Sequence, residues 1–190
     1  MIAGLVLAAG AGVRFGGVPK QLADLHGRPL LEWAVRAACA VDAFEEVVVV
    51  LGARAQEVAA GVDFGRSRTV VCDEWEQGQS ASLRSGLRAL DGASVVVVTL
   101  GDAPLVSAEV ISRLASEAPR TRAVYGGRPG HPVVLGPVEI AALASVRGDR
   151  GARALVAGGP VVEVGHLCSG RDVDTPEDLE EIRDAARAVI

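Results

Sequence analysis

The stretch "LVLAAGAGVRFGGVPKQL" (residues 5–22) sets Gly10, Gly12, Gly16 and Gly17 beside Arg14 and Lys20 and contains no acidic side chain. Glycine lets backbone N–H groups approach a ligand closely and adopt positive φ, so a glycine-rich turn after a strand commonly holds phosphate. Two familiar phosphate loops fit poorly. A dinucleotide loop needs G-x-G-x-x-G opening a helix and an acid near the end of the second strand. Here Gly10, Gly12 and Gly16 miss the last spacing, and "VVVVLGA" ends without an acid. A P-loop needs G-x-x-x-x-G-K-[ST], whereas Gly12 and Gly17 are followed by Val18, with Lys20 late and Gln21 after it. A third arrangement is a long, non-helical loop wrapping a triphosphate, with Arg14 and Lys20 as counter-charges on its rim. The bland alternative is a mobile surface loop.

A second chemical position ends the run "VVVVTLGDAP". Open α/β sheets bind ligands at the carboxyl ends of their strands, and Asp102 stands there. Mg²⁺ prefers few carboxylates plus phosphate oxygens and water, so a lone aspartate is a natural ligand; the alternative is a cap on the turn before Pro104. Ser80 and Ser82, in "GQSASLRSGL", either cap a helix or present hydroxyls to a nucleobase. His131, between Gly130 and Pro132, titrates near neutrality as a free side chain. It is a candidate for an acceptor phosphate or ring, or else a packing residue. Arg150 and Arg153 in "GDRGAR" could fork onto an anionic acceptor, or be exposed arginines at a helix start. The three histidines, His26, His131 and His166, form no H-x-x-x-H pair, which leaves zinc without support.

The elements that must position these residues follow a βαβ rhythm. "GLVLA" (4–8), "EVVVVL" (46–51), "TVVC" (69–72) and "SVVVVTL" (94–100) read as strands separated by helix-like stretches. Fully apolar strands are expected where both sheet faces are covered, hence a mainly parallel sheet between helical layers. "PLLEWAVRAACAV" (29–41) is a helix with Pro29 in its first turn, and Ser107 caps a helix over 107–118. Thr175, Pro176 and Asp178 supply a cap, a first-turn proline and a capping-box acid for the last helix, which Asp172 or Asp174 could equally cap. Between residues 119 and 172 glycine and proline recur and strands are harder to place, so this reads as an inserted or terminal lobe of the same domain. The expected organisation is one domain over 1–190, with a nucleotide-binding half over about 1–105 and an acceptor-binding half over about 106–190.

Bulk composition narrows the classes. With 190 residues, 49% hydrophobic and 3% aromatic, the core must be built from Val, Leu and Ala. Cys39, Cys72 and Cys168 are an odd count at no metal-ligand spacing, which points to reduced thiols and the cytoplasm. A net charge of -5 with no basic block argues against nucleic acid or an anionic membrane as partner. The apolar start "MIAGLVLAAGAG" lacks the positive n-region of a signal peptide. No apolar run approaches the ~18 residues of a membrane span.

These segments together resemble the nucleotidyltransferases of the molybdenum cofactor cytidylyltransferase and guanylyltransferase type, the MobA-like NTP transferases. The resemblance rests on "LAAGAGVRFGG" with Lys20, and continues through "GQSASLRSGL", "LGDAPLV", "GGRPGHPVVLG", "GDRGARALV" and "DVDTPEDL" in order and spacing. It implies a three-layer, Rossmann-like, glycosyltransferase-A-like α/β fold. It further implies an Mg²⁺-dependent transfer of CMP from CTP to a phosphorylated pterin of the molybdopterin type, with release of pyrophosphate, in the service of a client molybdoenzyme. On this resemblance Arg14, Lys20 and Asp102 are catalytic, and Asp102 and Asp174 hold the metal. Leu7, Ala8, Ala9, Gly10, Gly12, Arg14, Lys20, Gly78, Ser80 and Ser82 contact the nucleotide, and His131, Arg150 and Arg153 the acceptor. Cytidine is implied over guanosine by Ala9, since the guanylyl branch reads L-A-G-G where this chain has "LAAG". "PKQLADLHGRPLLEWAV" is similar instead to the cytidylyltransferase of isoprenoid biosynthesis, the alternative substrate reading, although "GDAP" stands where that enzyme would carry an H-D-x-A-R-like segment. Two further classes are a non-catalytic molybdenum cofactor binding or delivery protein and an NAD-dependent oxidoreductase, the latter disfavoured by the loop spacing.

Overall fold

Four Val- and Leu-rich runs form the parallel centre of one sheet in the computed structural model, which describes residues 1–145, 147–148 and 151–186. They are β1 (Ile2–Ala8), β4 (Glu46–Leu51), β5 (Arg68–Val71) and β6 (Val95–Leu100). β2 (Asp24–Leu25) and β3 (Arg28–Pro29) make a small separate hairpin, while β7 (Arg122–Tyr125), β8 (Arg128–Leu135) and β9 (Val161–Glu163) extend the main sheet. The order is β5-β4-β1-β6-β8-β7-β9. β8 runs antiparallel to both neighbours and every other adjacent pair is parallel, so the sheet is mainly parallel.

Register decides where chemistry can occur. Ala8 pairs with Leu51 and Leu7 with Leu100, so β1, β4 and β6 end level with one another. The glycine loop, the Gly52 turn and Asp102 therefore emerge at one edge of the sheet, its carboxyl edge.

Helices cover both faces. α1 (Leu30–Cys39) and α4 (Ala108–Ala115) pack on each other and on the central strands, and α3 (Gln79–Ala89) lies across β1, β4 and β5. Side chains alternate along a strand. A Cβ at Gly86 of α3 would meet Leu5 and Val50, whereas a Cβ at Gly4 would meet the Phe44 ring on the opposite face. The remaining helices are α2 (Ala55–Gly61), α5 (Pro137–Ala142), α6 (Ala152–Leu155) and α7 (Pro176–Ala186). No helix among the described residues is long and apolar enough to cross a membrane.

Local expectations meet the structure unevenly. Ser107 caps α4 by accepting from Val110 N–H at 3.3 Å. Pro29 takes the N-cap position of α1 rather than the first turn, one residue earlier than read. The lobe over 119–172 carries β7 to β9, and β8 is the least obvious of them. Two steps of β7, Arg122 to Val124, face four of β8, Val133 to Pro129, so Gly130, His131 and Pro132 bulge out of the pairing. A bulge is where an internal strand tolerates proline.

Candidate active site

The loop after β1 folds back on itself through two short 3-10 turns, Val13–Phe15 and Lys20–Leu22, and α1 does not begin until Leu30. Gly12, at φ 59°, passes so close over Lys20 that a Cβ there would lie 2.9 Å from Lys20 Cβ. Gln21 closes the loop: its Nε2 donates to Ala8 O at 2.9 Å and to Gly10 O at 2.8 Å. Sequence reasoning passed over Gln21. The available signal was its place directly after Lys20 in a glycine loop otherwise short of side-chain donors.

Lys20 is 9% exposed, and its Nζ donates to Asp102 Oδ2 at 2.7 Å and to Asp174 Oδ1 at 3.3 Å. Arg14, largely exposed, pairs with Asp174 Oδ2 at 2.9 Å. Asp102 is held in place by its backbone, whose carbonyl accepts from Val173 N–H at 2.8 Å. That bond ties the segment before α7 to the end of β6. The capping of α7 falls to Thr175 and Asp178: Asp178 Oδ2 accepts from the N–H groups of Asp174 and Thr175, and Thr175 Oγ1 from Asp178 N–H. Those bonds hold the Asp178 carboxyl below its usual range. The Asp174 side chain turns instead to the two cations.

Asp172 completes a shared field. Burial pushes its carboxyl up to about 6, the charges of Asp102 and Asp174 push the same way, and Arg153 and Lys20 oppose them. A site where carboxylates converge around a cation, with hard oxygen donors and, among the described residues, no thiolate or imidazole, suits Mg²⁺ or Mn²⁺. Among the described residues no cluster of three or more metal-ligating side chains forms a ready cage. Two carboxylates, Asp102 and Asp174, with the remaining positions left to substrate oxygens and water, fit such an ion.

Above this cluster lies a cleft of about 340 Å³. Of the residues expected to meet nucleotide, Leu7, Ala8, Gly10, Lys20, Gly78 and Ser82 line it, with Asp102 at its base, and Trp75, Glu76 and Gln79 form another wall. Trp75 and Glu76 were not read from the sequence, because a 3-10 turn (Trp75–Gln77) has no periodic signature. Other expected residues sit elsewhere. Ala9 is buried and its carbonyl accepts from Ala53 N–H at 3.1 Å. Ser80 is fully buried, its hydroxyl has no hydrogen-bond partner among the described residues, and its N–H donates to Gly148 O at 3.0 Å. Neither serine caps α3, whose N-cap is Gly78.

The acceptor candidates lie to the side. His131 is buried in the β8 bulge, and its Nε2 has no hydrogen-bond partner among the described residues. Burial, and secondarily the charge of Arg153, push the ring down to about 3, so it is neutral near pH 7 and carries no charge for a phosphate. Arg153 is exposed on α6, within electrostatic reach of both His131 and Asp172. Arg150 lies outside the described residues.

Known proteins share this frame. Nicotine blue oxidoreductase of Paenarthrobacter nicotinovorans is 36% identical over 193 residues, covering 94% of each chain. A solved nucleotidyl transferase from Methanothermobacter superposes with a TM-score of 0.81 at 26% identity, covering 100% of this chain and 99% of that one. The Rv0371c protein of Mycobacterium tuberculosis H37Rv, solved in complex with manganese, gives a TM-score of 0.80 at 28% identity, covering 97% and 98%. The model of the MobA-like NTP transferase domain matches residues 4–164, from the first strand through the glycine loop and Asp102 to the end of the sheet, and the chain belongs to that family.

Proposed function

We propose that the protein is an Mg²⁺-dependent nucleotidyltransferase that moves CMP from CTP to a phosphorylated acceptor, a pterin of the molybdopterin type, and releases pyrophosphate. One observation carries the reading: a nearly buried lysine under a glycine loop, bonded to two aspartates at the carboxyl edge of the sheet. An acceptor phosphate oxygen attacks the α-phosphorus; the new P–O bond forms as the bond to the β-phosphate oxygen breaks, and the electron pair leaves with pyrophosphate. An ionised phosphate needs no protein base, so alignment and charge neutralisation supply the catalysis. Lys20 and Arg14 offset charge on the departing pyrophosphate, and the loop amides orient the triphosphate. Asp102 and Asp174 would hold a divalent ion, whose charge would offset that of the triphosphate. The preference for CTP rests on Ala9 within "LAAG".

A second reading has a specific basis, the 36% identity to a protein named an oxidoreductase. The loop counts against it. Dinucleotide folds place the pyrophosphate at the N-terminus of a helix opening directly from the first strand, and here 3-10 turns intervene before α1. A screen of the four nucleoside triphosphates with Mg²⁺ and phosphorylated acceptors, read by released pyrophosphate, separates the two. CTP-dependent release supports transfer; a preference for GTP refutes the base assignment. Oxidation of reduced nicotinamide without pyrophosphate release from any triphosphate replaces the transferase reading altogether.

A further inference from the structure

A second cleft, of about 400 Å³, lies between the β7–β8 hairpin and the segment 165–171. Tyr125 lines it. The ring can lie there only because residues 130 and 170 are glycines, since a Cβ at either would collide with it. The Tyr125 hydroxyl donates to His131 O at 2.6 Å and fixes the ring. Arg128 and Arg171 are among the residues that line the cleft. The hairpin is locked to the strand beyond it by Glu163, whose carboxylate accepts from the N–H groups of Gly126, Gly127 and Gly165 at 2.8–3.0 Å. The walls are therefore pre-formed.

This cleft is close to the Lys20 cluster. Gly170 touches Tyr125, and Val173 N–H is bonded to Asp102 O. Three residues separate these two contacts along the chain, a backbone span of at most about 10 Å. Asp172, between them, feels the charges of Asp102 and Asp174 and acts on Tyr125. Arg171 is engaged by Glu181 at 2.7 Å and Asp178 at 3.6 Å, but such exposed pairs contribute little and exchange readily for a better anion.

We propose that this cleft is an oxyanion subsite, in which Arg128 and Arg171 hold a second anionic group of the acceptor. The inference rests on the transferase reading for the name of its ligand. The substrate it defines is anionic at both ends, not a simple phosphomonoester of a neutral alcohol.

Tyr125 is the single tyrosine of the chain, so a ring-labelled sample gives one tyrosine signal, from this cleft. The full chain is titrated with inorganic phosphate, with sodium chloride at matched ionic strength and with CTP. A saturable shift of the Tyr125 resonance by phosphate is expected, not reproduced by chloride or CTP, with the apparent affinity falling at least tenfold in Arg128→Ala/Arg171→Ala. In turnover assays the same double variant should raise the acceptor KM at least tenfold and leave the CTP KM within twofold. An unmoved resonance, an equal response to chloride, or an unchanged phosphate titration in the double variant overturns the subsite. The labelled-tyrosine readout is independent of whether CTP is the donor. Absence of pyrophosphate release would defeat the transferase reading while leaving the subsite measured.

Discussion

Lys20 Nζ donates to Asp102 Oδ2 at 2.7 Å, joining residues 82 positions apart in the chain. The register of β1 against β6 makes this contact possible, since Leu7 faces Leu100 and the loops that follow must leave the sheet side by side. The same ammonium reaches Asp174 at 3.3 Å, 154 positions away. Three distant segments thus converge on one cation.

Replacing that cation should be costly. Lys20→Ala is expected to lower turnover on the order of 10² to 10³, as for other preorganised electrostatic contacts. Circular dichroism and thermal melting of the variant check that folding is intact; near-normal turnover in a well-folded Lys20→Ala protein would count against the assigned role.

The carboxylates should separate by function. Asp102→Asn and Asp174→Asn are each expected to weaken Mn²⁺ binding at least tenfold, followed by the electron paramagnetic resonance of free Mn²⁺. Asp178→Ala, which removes the acceptor for the N–H groups of Asp174 and Thr175, should lower the melting temperature and weaken Mn²⁺ binding less than either of those substitutions. Equal effects of all three substitutions on Mn²⁺ would contradict the assignment.

The buried imidazole predicts an acid limb in stability. His131 stays neutral in the folded chain down to about pH 3, whereas an unfolded histidine takes up a proton near 6.5. Its contribution is therefore complete above pH 6.5 and is lost as pH falls from there towards 3, by up to about 5 kcal/mol. Urea midpoints compared between about pH 7.5 and 4.5 should fall less steeply in His131→Gln than in the parent protein. An identical slope would show that burial does not suppress protonation.

Two glycines test packing against function. A Cβ at Gly86 would strike Leu5 and lie 2.8 Å from Val50 Cγ2. Gly86→Ala should then destabilise by about 1–3 kcal/mol, as overpacking does, with the CTP KM unchanged. A Cβ at Gly52 would lie 2.6 Å from Ala9 O and 2.7 Å from Trp75 Cβ. Gly52→Ala should displace the cleft wall and raise the CTP KM several-fold, a difference that steady-state kinetics resolves.

The reading of the sequence reached those features whose cause is local. Val47–Val50 and Val95–Val98 are continuous apolar runs that only a two-sided sheet can bury, and Ser107 and Thr175 announce helix starts by side-chain chemistry. Arg14, Lys20 and Asp102 stood out because their charges follow apolar strands. Features fixed by non-local geometry stayed hidden. β8 hides behind Pro129, Gly130 and Pro132, whose bulge is set by its partner β7. Gln21 acquires its role only when the loop closes on Ala8 and Gly10. The drop of His131 away from neutrality comes from burial, which spacing does not reveal.

The central claim, that this cluster moves a nucleotide, is tested most directly by pyrophosphate release from CTP with Mg²⁺ and a phosphorylated pterin. The account predicts release that needs the acceptor, exceeds that from GTP and is nearly abolished by Lys20→Ala. Equal release by parent and Lys20→Ala proteins, or none from any triphosphate while reduced nicotinamide is consumed, would contradict it.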